Sequence, residues 1–329
     1  AAGPPADFKG SRVRQYLQTY CRRQREMCVR ASANLTTRIG RKVVVSDISF
    51  TRRPGGITGL VGRNGAGKTT LFRTIMLQYI PDSGTIQIND QTVTPNTNFT
   101  QSIFFVDSQD NFFGNSPLAE IASWFTLVYP QFSLDSFWQE IDHFKIPRES
   151  RWSGLSKGMQ ATILMALALA SNVPYIILDE PFSGLDVIAR EQVTQMIIDA
   201  AAEHHTAFLI SSHDLEELDG ISDRVLILKD HHILHDYMLE ELREEAKKIQ
   251  VVFRHNEVPA AIKKEGTLIR VTGQVLEIVF LHYDETIETA LQDAQPVFME
   301  DLPLTLTDIF RTTAVHDTDY LLGKEVYEK

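Results

Sequence analysis

The residues best suited to chemistry form a glycine-rich loop that ends in a lysine and two threonines. Residues 62–70 have the sequence GRNGAGKTT, with the spacing G-x-x-x-x-G-K-[ST]. In such a loop backbone N–H groups turn onto phosphate oxygens, Lys68 reaches the β- and γ-phosphates, and the Thr69 hydroxyl binds Mg²⁺. A bare glycine-rich turn is the alternative, but it would not require the Lys-Thr pair. The residues predicted to contact the phosphates are Gly62, Asn64, Gly65, Gly67, Lys68, Thr69 and Thr70.

A second candidate group follows the apolar run at residues 175–178, where Asp179 and Glu180 stand side by side. The end of a buried strand brings such a pair close to bound phosphates. Asp179 is placed to hold the ligand shell of the metal ion. Glu180 is placed to orient or deprotonate the water that attacks the γ-phosphate. A solvated acidic turn would be the better interpretation of the dipeptide alone. The phosphate loop elsewhere in the chain favours the catalytic interpretation.

The elements around these residues predict an α/β fold with a parallel sheet. An apolar run at residues 57–61 precedes the loop, and a helix-like segment at residues 71–76 follows it. Strands alternate with helices along this part of the chain, which is typical of parallel sheets covered by helices. Further strands are predicted at residues 43–50, 85–89, 103–106, 207–210 and 225–228, a helical insert at residues 116–152, and an amphipathic helix around residues 193–201.

Composition limits the class of protein. The chain has 329 residues, 43% of them hydrophobic, which predicts two domains with substantial cores. Its longest apolar run, residues 161–170, is too short for a transmembrane helix of about 20 residues. A net charge of −11 argues against nonspecific nucleic-acid binding, and Cys21 and Cys28 provide neither a disulfide framework nor a zinc cluster. We expect no nucleic-acid partner and a reducing, cytoplasmic compartment.

Residues 1–26 form a basic N-terminal extension. Residues 1–30 carry seven basic and two acidic side chains, against the acidic balance of the rest of the chain. One hypothesis is a basic amphipathic arm on anionic lipid, and the other is a weakly ordered leader. The extension lacks the apolar core of a secretory signal.

From about Met27 to Glu240 the sequence resembles the nucleotide-binding subunit of an ATP-binding cassette (ABC) transporter. Three further motifs carry this resemblance, in the family's order. Residues 155–160, LSKGMQ, resemble the family signature at the start of a helix; residues 183–186, SGLD, match the loop after the acidic pair; and His213 stands at the family's switch histidine. A lone histidine after a strand would usually be structural, but its place in this ordered set favours contact with the γ-phosphate.

The resemblance implies an ABC ATPase fold of the P-loop NTPase class, with ATP and Mg²⁺ as cofactors. It implies two ATPase subunits, which we expect to be a homodimer, enclosing two nucleotides between each phosphate loop and the other subunit's Ser156 and Gly158. Asp186 is a further residue predicted to contact the nucleotide. It also implies a separate transmembrane permease, so that the chain lies peripherally on the cytoplasmic face of the membrane. Lys68, Glu180 and His213 are the predicted catalytic residues.

This chain departs from the family pattern at three places. Ile39 stands where the family has an adenine-stacking aromatic. Lys157 and Met159 replace a glycine and a glutamine of the signature, a variation associated with exporter-type members. The family's metal-binding glutamine aligns with Ser108 without gaps, while Gln109 is adjacent, and its chemistry makes Gln109 the preferred metal ligand beside Thr69 and Asp179.

Residues 241–329 predict a smaller α+β accessory domain. The predicted order of strand, helix, two strands, helix and strand suggests a ferredoxin-like module, followed by a last helix at residues 306–313. Residues Ile249, Val251 and Phe253 alternate on one face of its sheet, and we expect the other face to be open. The default role is dimerisation, with ligand sensing as the alternative.

The sequence therefore predicts an extension at residues 1–26, an ATPase domain at residues 27–240 and an accessory domain at residues 241–329. The predicted function is that of the ATP-binding and hydrolysing subunit of an ABC exporter. A soluble ABC ATPase with a non-transport regulatory role is the alternative. The second cassette or long coiled coil that such proteins usually carry is not visible in the sequence.

Overall fold

The computed structural model describes residues 29–52, 55–88, 91–97, 99, 101–107, 112–254, 258 and 260–314. These residues form two compact units. The first contains the described residues up to His213 together with Ile221–Asp236, and the second contains Asp214–Gly220 and the described residues from Tyr237 onward. The predicted N-terminal extension, residues 1–26, lies outside the described part of the chain. The predicted domain boundaries stay predictions.

A six-stranded sheet forms the centre of the first unit, with the strand order β10-β9-β3-β8-β7-β6. Its five strands from β9 to β6 pair in parallel, and β3, β7 and β8 are buried along their whole length. This arrangement confirms the predicted parallel α/β core, since strands covered on both faces are apolar throughout. The strands are β3 Ile57–Val61, β6 Ile103–Asp107, β7 Tyr175–Asp179, β8 Ala207–Ser212, β9 Arg224–Lys229 and β10 His232–Met238.

A second, antiparallel sheet of four strands covers one side of helix α1, Lys68–Ile75. A single hydrophobic cluster includes Phe50 and Ile86 of this sheet, Phe72 of α1 and Leu60 of the central sheet. Helix α1 is therefore held from both sides, which fixes the phosphate loop at its N-terminus. The strands of this sheet are β1 Val29–Ile39, β2 Lys42–Arg52, β4 Ser83–Ile88 and β5 Gln91–Thr92.

The predicted insert at residues 116–152 is helical in the structure. Phe113, which precedes the insert, packs against Trp152 at its end, with the two ring centroids 4.8 Å apart. Trp152 begins a short 3₁₀ turn, which leads into the long helix α4. The helices of this region and the next are α2 Leu118–Val128, α3 Leu134–His143, α4 Lys157–Ala170 and α5 Val187–Glu203.

The second unit contains a four-stranded antiparallel sheet with the order β12-β13-β11-β14. Strand, helix, two strands, helix and strand follow one another as the sequence predicts, whereas the assignment to a ferredoxin-like family stays a prediction. Ile249, Val251 and Phe253 are buried in one cluster, as expected from their alternation. The elements are α6 Glu216–Asp219, α7 Leu239–Glu245, β11 Lys247–Val252, α8 Ala260–Glu265, β12 Gly266–Thr272, β13 Val275–Phe280, α9 Glu285–Asp293, β14 Phe298–Leu302 and α10 Leu306–Ala314.

The expectation that the other sheet face is open is wrong. Helix α10 packs against β12 and β13 and buries Leu306 and Ile309. Lys248, which neighbours the core residue Ile249 and so points to the opposite face, donates from Nζ to both carboxylate oxygens of Asp308 at 3.1 Å. Asp308 is 4% exposed. A buried carboxylate and a lysine need each other as partners, and this pairing fixes α10 on the sheet.

Candidate functional site

The phosphate loop requires glycine at two positions. Gly67 has φ 112° in the left-handed region and precedes α1, and a Cβ there would lie 2.4 Å from the Val44 carbonyl oxygen. A Cβ on Gly62 would lie 2.7 Å from the carbonyl oxygen of Leu228. Both contacts are with backbone atoms, which cannot move aside easily. Glycine is therefore needed at these two positions because neighbouring backbone atoms leave no room for a side chain, in addition to its role in binding phosphate.

Lys68 is held at the start of α1 by nearby oxygen atoms. Its Nζ donates to the Gly62 carbonyl oxygen at 2.6 Å and lies 3.1 Å from Glu180 Oε1. The residue is 5% exposed, so its cation is close to fully removed from bulk water. A buried ammonium group needs oxygen acceptors as partners, and the oxygens of a bound phosphate would be such acceptors.

Asp179, the last residue of β7, is buried and hydrogen bonded. The Ser211 hydroxyl of β8 donates to Asp179 Oδ1, and the Thr69 side chain forms a second hydrogen bond with the carboxylate. Burial raises the pKa of Asp179, and the two hydrogen bonds oppose that rise. The negative charges of Asp107 and Glu180 raise the pKa further. This carboxylate is therefore held in a position where a cation would relieve an unfavourable charge.

Glu180 adopts φ 48°, a left-handed backbone conformation that non-glycine residues rarely take. Its N–H donates to Ser211 Oγ at 2.9 Å, so that one hydroxyl holds both members of the acidic pair. Its Oε2 lies 2.7 Å from Nδ1 of His213, which follows β8. Backbone strain of this kind is common at functional sites, where the surrounding structure holds it. Here it turns the Glu180 carboxylate towards Lys68 and His213.

These side chains surround one cavity of about 680 Å³. The structure brings together residues that come from five separate segments of the chain: strand β2, the loop with helix α1, the end of β6, the end of β7 with the residues after it, and the residue that follows β8. The cavity is lined by Val44, Asn64, Gly65, Gly67, Lys68, Thr69, Thr70, Arg73, Asp107, Asp179, Glu180, Ser183 and His213.

Other predicted site residues lie elsewhere in the described chain. The lining does not include Ser156, Gly158, Asp186 or Ile39. Gly62 contributes its carbonyl oxygen to Lys68 without lining the cavity. Ile39 is 47% exposed at the end of β1. Gln109 and the alternative Ser108 lie outside the described residues, so the preference between them stays a prediction.

The signature segment begins helix α4 with an exposed N-terminus. Ser156 is the N-cap and accepts from the Met159 N–H at 3.2 Å. Gly158 lies against α5, since a Cβ there would be 2.8 Å from the Cβ of Ala189. Asp186 caps α5 through Oδ1, which accepts from the Ala189 N–H at 2.9 Å. The two helix starts are thus packed together, and the N-terminus of α4 presents N–H groups that can bind an anion.

Three residues of the site escape prediction from sequence. Ser211 binds both acidic residues, and Arg73 of α1 donates from Nη2 to Asp107 Oδ2 at 2.8 Å. This hydrogen bond is the main cause that raises the pKa of Arg73. The position of Asp107 directly after the strand predicted at residues 103–106 is a signal that could have indicated its place in the site.

The described residues contain no group of three or more His, Cys, Asp or Glu side chains arranged to hold a metal ion. The Thr69 hydroxyl, the Asp179 carboxylate and nucleotide phosphates are hard oxygen ligands of the kind that Mg²⁺ prefers. Among the helices that can be described, none is both long and apolar enough to cross a membrane.

A parallel sheet with a phosphate loop, an acidic pair and a histidine around one cavity defines a P-loop ATPase. The family described as ABC transporter matches residues 45–183. ABC transporter ATP-binding protein YtrB of Bacillus subtilis (strain 168) is 30% identical over 268 residues, which are 81% of this chain and 91% of YtrB. The chain therefore belongs to the ATP-binding proteins of ABC transporters, and it binds and hydrolyses ATP.

Other relatives extend this similarity. Bacitracin transport ATP-binding protein BcrA of Enterococcus faecalis is 28% identical over 65% of this chain and 71% of BcrA. A solved dimeric structure of an ATP-binding cassette in a post-hydrolysis state, bound to ADP and Pi, is similar with a TM-score of 0.57 at 20% identity. That match covers 65% of this chain and 99% of the solved chain. This structural similarity shows the ABC cassette fold.

Proposed function

We propose that two copies of this chain form the ATPase of an exporter-type ABC transporter and drive a separate membrane permease from its cytoplasmic side. The names of several relatives support the direction of transport. A Nod factor export ATP-binding protein I of Mesorhizobium japonicum is 27% identical over 84% of this chain, and 84% of that protein is covered. Lys157 and Met159 in the signature agree with an exporter-type member.

The position of the signature supports a paired site, that is, a nucleotide site formed by residues of two chains. Ser156 and Gly158 begin α4 and Asp186 begins α5, yet none of them lines the cavity around Lys68 of the same chain. An exposed helix N-terminus with an N-cap serine binds anions well. Two identical chains facing each other would place each signature against the nucleotide held by the other chain, so that each site needs residues from both.

Thr69, Asp179 and the predicted ligand Gln109 would hold a magnesium ion that accompanies the nucleotide. The metal neutralises charge on the phosphates when it is bound. When ATP binds, Lys68 gives up its contact with Glu180 and contacts the β- and γ-phosphates instead. The carboxylate and the phosphates are both anionic partners within reach of the same Nζ. Glu180, released from Lys68, accepts the proton of the attacking water, and His213 holds the carboxylate orientation.

Mixing two inactive variants tests the paired site. Ser156→Arg blocks the signature, and Lys68→Ala removes the phosphate-binding lysine. Each variant alone has two damaged sites for each dimer, whereas a mixed dimer keeps one site with an intact loop and an intact signature. We expect ATP hydrolysis to be lost in each variant and to return, at no more than half of the parent rate, after mixing.

Two controls separate blocking from destabilisation. Ser123→Arg places the same side chain on an exposed serine of α2, outside the cavity, and should keep the parent rate. Ser156→Ala removes the hydroxyl, and with it the helix cap at a cost of about 1 kcal/mol, without adding the bulk by which arginine blocks the site. Full hydrolysis by Ser156→Arg alone would exclude the arrangement.

A further inference from the structure

The cavity contains a carboxylate that the mechanism above does not use. Asp107 is the last residue of β6, and its Cα is the register partner of the Asp179 Cα in β7. The two strands run parallel, so their carboxyl ends meet at the same edge, about 4.8 Å apart. Both residues line the cavity together with Thr69. Asp107 therefore stands next to the residue that is expected to contact magnesium.

Arg73 fixes the Asp107 side chain. The guanidinium lies on α1, the helix that begins with Lys68, and its Nη2 is 2.8 Å from Asp107 Oδ2. The Arg73 and Asp107 side chains are 24% and 12% exposed, so this ion pair is shielded from solvent more than a surface pair. An arginine is permanently charged and holds its planar donors in a rigid arrangement. The carboxylate is thus oriented before any nucleotide binds.

The charges around the cavity favour a cation between the carboxylates and the phosphates. Asp107, Asp179 and Glu180 contribute negative side chains to the lining. A nucleotide triphosphate adds several more negative charges, and like charges held this close together repel each other. A divalent cation would offset this repulsion, because it attracts both the carboxylates and the phosphates. If the ion pair of Arg73 and Asp107 served only to join α1 to β6, the Asp107 carboxylate would not need to line the cavity.

We propose that Asp107 is a positioning residue for the magnesium ion that accompanies ATP, and that its carboxylate accepts hydrogen bonds from water molecules in the metal's shell. The geometry points to this role because Asp107 ends its strand beside Asp179 and is oriented by Arg73. The proposal rests on the proposed magnesium-dependent function. It adds an acidic residue to the metal environment, upstream of the segment in which Gln109 is the predicted ligand.

The test measures how strongly metal and nucleotide binding are coupled. For the full chain, the Kd of a non-hydrolysable ATP analogue is measured by equilibrium dialysis, once with Mg²⁺ and once with EDTA. The ratio of the EDTA value to the Mg²⁺ value is the coupling factor. Loss of a residue that orients the surroundings of a metal lowers metal affinity by about 10–100-fold. We expect Asp107→Asn to lower the coupling factor at least about tenfold, with unchanged or tighter binding in EDTA because a negative charge is removed.

Matched variants distinguish this role from a purely structural one. Asp142→Asn breaks an ion pair with Arg148 on the insert, away from the cavity, and should leave the coupling factor unchanged. Asp107→Glu keeps the charge but displaces the carboxylate, and should lower the factor by less than Asp107→Asn. Arg73→Gln, which keeps the carboxylate but removes its orienting partner, should also lower it.

Three results would overturn the proposal. The first is an unchanged coupling factor in both Asp107 variants. The second is an equal loss of nucleotide affinity with and without Mg²⁺, which indicates a structural ion pair only. The third is a coupling factor near one in the parent chain, which would refute the magnesium assignment itself and is thereby distinguishable from failure at Asp107.

Discussion

Replacing Glu180 with glutamine separates ATP binding from ATP hydrolysis. In the structure one carboxylate oxygen lies 3.1 Å from Lys68 Nζ and the other lies 2.7 Å from His213 Nδ1. Glutamine has nearly the same shape but cannot accept the proton of an attacking water. The Glu180 side chain is 13% exposed, so bulk water has little access to accept the proton in place of Glu180.

The size of the rate effect follows from the role of a general base. Such groups contribute at least about 10²-fold to a rate, and a hundredfold loss corresponds to about 2.7 kcal/mol in the activation free energy. We therefore expect Glu180→Gln to reduce the hydrolysis rate at saturating ATP by at least about 10²-fold. A closed dimer should accumulate, since nucleotide enters and is not consumed.

The effect on affinity can be worked out from the Lys68 contact. A hydrogen bond to a charged group contributes about 1.5–3 kcal/mol, and this one must be exchanged when Lys68 binds phosphate. Glutamine weakens the competing contact, while the Gly62 carbonyl at 2.6 Å still orients Lys68. We expect ATP affinity to stay equal or to rise by up to about tenfold, which corresponds to about 1.4 kcal/mol.

The assay measures phosphate release at saturating ATP and, separately, the Kd for ATP by equilibrium dialysis. Glu191→Gln is the matched control, because it makes the same change at an exposed position of α5 and should keep the parent rate. Hydrolysis by Glu180→Gln within threefold of the parent rate would refute the role of Glu180. ATP affinity weakened more than threefold would refute the exchange of Lys68 between Glu180 and phosphate.

Three further predictions concern stability and specificity. Burial raises the pKa of Asp179, so the stability that its protonated form provides at low pH is lost as the pH rises through that pKa. Asp179→Asn should therefore raise the thermal midpoint of the nucleotide-free chain, more at pH 7 than at pH 4, while metal-dependent ATP binding is lost; an equal change at both pH values would contradict this. Ile39→Tyr should tighten binding of ATP by about 0.5–1.5 kcal/mol through ring stacking; equal Kd values for ATP in parent and variant would show that another residue covers the base. Asp308→Asn leaves Lys248 with the weaker contact to Glu277 at 3.4 Å and should lower the free energy of unfolding by about 2 kcal/mol, somewhat less than for a buried pair left without any partner. Denaturant unfolding measures the loss, and Glu265→Gln, in an exposed ion pair, is the control that should change stability by less than about 0.5 kcal/mol.

The sequence alone determines the chemical groups of the site. The loop around Lys68, the pair Asp179 and Glu180, and His213 each follow or end a short apolar run, and the structure places all of them around one cavity. Their presence can be read from the sequence for a local reason. A glycine spacing that admits phosphate, and a run of apolar residues that predicts a buried strand, are both properties of a few consecutive residues.

Tertiary structure decides the partners of these groups. Ser211 holds both Asp179 and Glu180 only because β7 and β8 are neighbours in the sheet, although 31 residues separate Ser211 from Glu180 along the chain. Arg73 meets Asp107 because α1 covers the end of β6. Neither contact has a local sequence signal, since each depends on strand order and register.

The second unit shows the same limit at the level of whole elements. Apolar alternation predicts the strand Lys247–Val252, but it does not reveal that α10 covers the second sheet face through Lys248 and Asp308. Nor does it show that Asp214–Gly220, directly after His213, belongs to this unit. Periodicity records which face of an element is apolar. Which distant residues cover that face is decided by the close packing of the folded chain and by the need of buried charges for partners.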